Sequence, residues 1–141
     1  MKKLIISIFG IFIFGCAAHV PYQPTTLKSK SEAEKTVRRI ILEQPRPYAP
    51  VEIQINNEYL QIFYNDTRKS LIAGGVTTVP IVDTLYFDSI NAIELYKKRT
   101  FFVLIKDKDN NARLYVFPRS AEMGKLFIDA MSTLVGIYNN K

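Results

Sequence analysis

A short, almost unbroken apolar run that stops at the chain's only cysteine decides how much of this sequence can fold. Met1-Lys2-Lys3 is cationic, residues 4–15 are apolar apart from Ser7 and Gly10, and Cys16 follows. Crossing about 30 Å of hydrocarbon takes roughly 20 helical residues, so this run is too short to stay as a membrane span. A positive end, a short apolar stretch and a small residue at the cut are the three parts of a secretory signal. Residues 1–15 are therefore expected to be cleaved. That leaves 126 of the 141 residues, one domain's worth. A chain of that length buries roughly two-thirds of its unfolded surface. The expected compartment is oxidising, yet Cys16 has no partner cysteine, so packing alone must hold the fold.

Ile13-Phe14-Gly15-Cys16 resembles a bacterial lipobox: an aliphatic residue, a variable one, Gly or Ala, then Cys. The resemblance implies cleavage between Gly15 and Cys16 and diacylation of Cys16, which becomes an acylated N-terminus. Two or three acyl chains give a stable anchor where one gives marginal binding. In a double-membraned cell, Ala17 in place of Asp implies the outer membrane, with the body on its periplasmic face. Residues 16–30 are polar, with Pro21, Pro24 and Thr25-Thr26 and no hydrophobic period, and read as a lipidated flexible tether. His19, the only histidine, falls inside it.

Lys2 and Lys3 leave with the signal, lowering the formal net charge from +6 to about +4. That weak balance favours anionic surfaces only mildly. It does not argue for nucleic acid, and no nucleic-acid partner is expected. Arg38-Arg39, Arg68-Lys69 and Lys97-Lys98-Arg99 read as solvated faces or turns.

Residues 31–141 are expected to form one domain. Residues 31–44 predict a helix, because Ser31 and Glu34 match a capping box. Ala33, Val37, Ile40, Ile41 and Gln44 form its stripe, to cover an edge or open mouth of a sheet. Pro45 and Pro47 end it. From Val51 the period is two, with Asn56-Asn57 as a turn able to take positive φ. A return strand over 58–64 follows, then a turn at Asn65-Asp66-Thr67. A short strand over 68–72, a loop at Ala73-Gly74-Gly75 and a strand over 80–87 with Pro80 at its first position come next. Strands over 92–97, 101–106 and 113–117 lead to Pro118. A last helix begins at Ser120, its seam made by Met123, Phe127, Ala130, Leu134 and Ile137. Tyr48, Tyr59, Tyr64, Tyr86, Tyr96 and Tyr115 are expected to be half-buried sheet residues.

Short antiparallel strands closed by one amphipathic C-terminal helix resemble a pleckstrin-homology-like (PH-like) domain, of the bacterial and GRAM type. The residues that carry the likeness run from Thr84-Leu85-Tyr86-Phe87-Asp88-Ser89-Ile90 to Leu134, within a span of roughly 48–137. The fold class expected is thus α+β: an antiparallel PH-like barrel or strongly bent sheet, a C-terminal capping helix, and an extra N-terminal helix. A sheet with both helices on one face is the alternative. The resemblance implies a scaffold for peptides, proteins or lipid headgroups. It does not carry phosphoinositide binding, since the loop concerned is Asn56-Asn57.

Catalytic and metal sites find little footing. A mobile His19 cannot serve a nucleophilic unit, and His or Cys ligands for zinc are lacking. Asp107-Lys108-Asp109-Asn110-Asn111 opens like a calcium loop. However, Ala112 stands where Gly is needed and Pro118 where a bidentate Glu belongs, so a hairpin turn is expected. Ala73-Gly74-Gly75 lacks the Lys-Ser/Thr of a phosphate loop. Carboxylate pairs such as Asp83 with Asp88 are the groups to test for acid–base work. No catalytic residue, metal or cofactor is expected, and no ligand-binding residues can be named. The leading expectation is a non-enzymatic lipoprotein that binds a protein or envelope component. Behind it stand a small lipid- or polymer-binding role and a hydrolase built from acids and tyrosines.

Overall fold

The computed structural model describes residues 16–69 and 76–139, so the signal, Gly15 and Ala73-Gly74-Gly75 lie outside the described residues. The architecture is α+β. Strand β1 (Ala18–Val20) and helix α1 (Lys30–Leu42) come first, then β2 (Glu52–Ile55), β3 (Tyr59–Lys69) and β4 (Val76–Tyr86). A 3-10 turn at Phe87–Ser89 leads to β5 (Ile90–Lys97), β6 (Phe101–Asp107), β7 (Ala112–Val116) and helix α2 (Ala121–Asn139). Two antiparallel sheets result, β2-β3-β4 and β1-β5-β6-β7, and they do not close into a barrel.

α1 starts one residue earlier than its sequence suggests. The N-cap is Ser29 rather than Ser31; its hydroxyl accepts from the Glu32 N–H at 3.1 Å. Two serines compete for the cap, and the earlier one adopts the extended backbone that a cap needs. The stripe Ala33, Val37, Ile40 and Ile41 is fully buried as expected. It packs chiefly against α2, with only a minor contact to β2, so a sheet mouth is not its main partner.

Asn65-Asp66-Thr67 is no turn. β3 continues through these residues, pairing Asn65 with Pro80, Asp66 with Val79 and Thr67 with Thr78. Pairing over the whole length of β4 outweighs the local turn preference of Asn and Asp. Pro80 accordingly sits mid-strand, which is tolerated because β4 is an edge and, among the described residues, no further strand needs its missing donor. At Asn56-Asn57 the turn forms without positive φ. The Asn56 Oδ1 accepts from the N–H groups of Glu58 and Tyr59, each at 2.8 Å. The Asp107 turn is the expected hairpin; the Asp107 carboxylate accepts from Asp109 and Asn111, and Asn110 takes φ 65°.

The core gathers Leu60 and Ile62 of β3, Leu95 of β5, Val103 and Ile105 of β6 and Val116 of β7 under the two helices. α2 is buried over a wider arc than its seam, residues 127–131 all lying inside. Gly124 lets it approach β5 closely, since a Cβ there would stand 2.7 Å from Leu95 Cδ1.

Candidate functional site

Residues 16–30, expected to be a free tether, are laid onto the body. β1 pairs antiparallel with β5, setting Ala18 against Lys97, His19 against Tyr96 and Val20 against Leu95. Beyond it a latch forms on α2. The Tyr22 hydroxyl donates to both oxygens of Asp129 at 2.9 Å, and the Thr25 N–H donates to Asp129 Oδ1 at 2.7 Å. One helical turn later, Thr133 Oγ1 accepts from the Leu27 N–H at 3.0 Å while donating to the Asp129 carbonyl at 2.7 Å. Burial and the donated hydrogen bond push the Tyr22 hydroxyl above its ordinary pKa, keeping it a donor. The polar composition of the strap gives no hydrophobic period; its order comes from a buried acid and threonine 104 to 107 positions away. The available sequence signal was an Asp129-x-x-x-Thr133 pair inside an otherwise apolar helix.

Cys16 is exposed, two residues before β1, so the structure presents the residue proposed for acylation at the edge of a sheet. His19 is positioned after all, its ring 5.3 Å from that of Tyr96. It opens a row of rings across the outer face of the four-stranded sheet. Tyr96 stacks on Phe102 at 5.3 Å, Phe102 lies 6.0 Å from Tyr115 and 6.3 Å from Phe117, and Phe117 stacks on Tyr48 at 4.1 Å. Tyr86 and Tyr115 are the half-buried strand residues expected, about half exposed (50 and 49 %), whereas Tyr48, 47 % exposed, stands on a loop. Alternation sends Leu95, Val103 and Leu114 inward, so the neighbouring rings must face out.

The same face carries a charged cluster. Lys106 Nζ lies 2.7 Å from Glu94 Oε2, which also accepts from the Tyr96 hydroxyl at 2.7 Å. The Lys106 ammonium and then the Tyr96 hydroxyl hold the Glu94 carboxyl below the ordinary carboxylate range. A depressed carboxylate stabilises the fold above its unfolded pKa, near 4.3, and loses that contribution as pH falls through its folded value. The pair is largely solvated, so its contribution is small. Glu94→Gln should therefore be slightly less stable than the parent at pH 7. The gap should close on acidification below pH ~4, read as converging urea midpoints.

Between the loop after α1 and the start of β6 lies a groove of about 580 Å³, walled by Tyr48, Phe101, Phe117 and Pro118 and lined also by Arg99 and Arg119. Gln44 builds it. Its Oε1 accepts from the Phe117 N–H at 2.7 Å, its Nε2 donates to the Ile41 carbonyl at 3.1 Å, and it is 5 % exposed. Arg119 Nε donates to the Glu43 carbonyl at 3.0 Å. The sequence period puts Gln44 on a helical stripe; its side chain instead ties the segment after α1 to the end of β7. Gln44→Ala strands the partly buried Phe117 N–H and should lower stability by about 1–3 kcal/mol, measured by chemical denaturation.

Asp83 and Asp88 are not brought together. Asp83 lines a hollow with Tyr64 and Arg113, and Asp88 another with Glu58 and Tyr138. Burial and then the nearby Asp83 charge raise the Tyr64 pKa. Among the described residues no group of three or more His, Cys, Asp or Glu could hold a metal ion, and no helix is long and apolar enough to cross a membrane. Compared with known proteins, the chain matches no family model, no curated protein and no solved structure.

Proposed function

We propose that this chain is a bacterial lipoprotein, cut between Gly15 and Cys16 and held by acylated Cys16 on the periplasmic face of the outer membrane. Its body is a non-enzymatic PH-like module that binds a protein or envelope component. The observation that carries the reading is the placement of Cys16: exposed, at the end of the apolar run, and two residues ahead of a strand fixed in the sheet. The PH-like assignment draws support from the three-strand meander β5-β6-β7 running straight into α2. The aromatic row from His19 to Tyr48 supplies the binding surface, since outward rings give contact area at low entropic cost. The separation of Asp83 from Asp88 speaks against acid–base work by that pair.

Labelled palmitate should enter the parent protein and not a Cys16→Ser variant, and the variant should leave the membrane fraction. Equal fractionation of the two proteins overturns the reading. A photo-crosslinker at Tyr115 should capture an envelope partner that the same probe at Lys108 does not.

A further inference from the structure

β1 runs antiparallel to β5, with Ala18 opposite Lys97, so the chain carrying Cys16 leaves the sheet beside the β5–β6 turn, Lys98-Arg99-Thr100. β6 begins and β7 finishes at that same end, and the groove walled by Tyr48, Phe101, Phe117 and Pro118 opens there. Charge follows the same polarity. Arg46, Lys97, Lys98, Arg99 and Arg119 gather at this end, with Glu43 and Glu122 as its acids. The opposite end, where β5 begins and β6 finishes, is near balance, with Glu34, Glu58, Asp88, Asp107 and Asp109 against Lys30, Lys106, Lys108 and Arg113.

We propose that the groove end is a lipid-facing surface that takes an anionic phospholipid of the membrane in which Cys16 is anchored. The phosphate meets Arg99 and Arg119, and the glycerol and upper acyl segments lie against Tyr48, Phe101 and Phe117. The inference rests on the anchored-lipoprotein reading. The pairing of β1 with β5 makes it geometric, because Ala18 is fixed opposite Lys97 and no slack separates anchor from body. Two residues beyond β1 reach about 7 Å, which confines this end to the bilayer surface. A lipid headgroup brings the negative charge that this basic end lacks. Each basic side chain near an anionic surface raises partitioning about fivefold. An exposed tyrosine beside arginines suits the interfacial layer, where one part is apolar and the other wet. The surface lies away from the Asn56-Asn57 loop.

The chain has no tryptophan, so single reporters are unambiguous. Full-length Tyr48→Trp protein is placed on vesicles of brominated phosphatidylglycerol or brominated phosphatidylcholine, with Tyr86→Trp, at the far end, as the comparison. Quenching of the Tyr48→Trp reporter should be severalfold stronger on phosphatidylglycerol, while the Tyr86→Trp reporter stays bright on both. Adding Lys98→Glu and Arg99→Glu should bring the first reporter to its phosphatidylcholine level. In the unsubstituted-charge protein, raising salt from 0.1 to 1 M should also weaken quenching, since the screening length shrinks from about 10 to about 3 Å. Equal quenching at both positions, or quenching at position 48 that ignores lipid charge and salt, overturns the proposal. Palmitate incorporation into the same protein separates the two readings. Label present with position-independent quenching sinks the lipid-facing end alone, whereas label absent with charge-dependent quenching retained at position 48 sinks the anchor alone.

Discussion

Asp129→Ala should unlatch the N-terminal strap and lower stability by about 2–4 kcal/mol, roughly 10 °C in melting temperature. Asp129 is 7 % exposed and accepts from the Tyr22 hydroxyl and the Thr25 N–H. Truncation removes the acceptor and leaves both donors facing a hole. Asp129→Asn keeps the shape and one oxygen, so it should cost less than half as much. Tyr22→Phe removes one donor and should cost about 1 kcal/mol. The double variant Asp129→Ala with Tyr22→Phe should then be less destabilised than the two single changes combined, because the Tyr22 hydroxyl is no longer there to be left without its acceptor, and only the Thr25 N–H is stranded. Hydrogen exchange gives the local readout: the amides of Ala18, His19 and Val20 should lose protection in Asp129→Ala while those of β6 keep theirs. A variant whose β1 amides exchange as slowly as the parent's means that β5 pairing holds the strap and the latch is incidental.

Phe127→Ala should cost about 3–5 kcal/mol, the largest effect of any single truncation considered. Phe127 is 0 % exposed on α2, in the cluster shared by both sheets and α1. The loss combines removed apolar surface with a cavity that the surrounding strands cannot close, since they are fixed by ladder hydrogen bonds. Phe127→Leu, which refills most of that volume, should recover more than half. The measurement is the urea midpoint at constant slope; an unchanged midpoint for Phe127→Ala contradicts the central place of α2 in the core.

Much of this fold could be read along the chain. The stripe of α1, the period-two alternation of β2 and the run from β5 to α2 were all visible, because each buries one face and so writes its period into the sequence. What escaped reading has a common origin. Asn65-Asp66-Thr67 has the composition of a turn and becomes strand only because β4 lies alongside it. Pro80 has the look of a strand start and becomes mid-strand only because, among the described residues, no strand pairs beyond β4. Ser31 and Glu34 satisfied a capping pattern, yet Ser29 holds the cap.

The candidate site divides in the same way. Cys16 stood out from its local surroundings alone, as did the exposed basic turn at Lys97-Lys98-Arg99. The groove did not, because Gln44, Tyr48, Phe101, Phe117 and Arg119 come from segments as far apart as α1 and the start of α2. Nor did the ring row, since facing rings on neighbouring strands depend on register, which is set between strands rather than within one.

By itself, then, the sequence determined the helices, the alternation of the strands, the single thiol and the absence of any disulfide, all of which depend on residues within a turn or two of one another. Only the tertiary structure decided that residues 18–27 are strapped to the body, that two sheets form in place of one closed barrel, and that anchor, basic turn and groove share one end. Those outcomes depend on hydrogen-bond partners and packing faces about 80–110 positions away in the chain, and no local pattern of residues encodes where such partners will arrive.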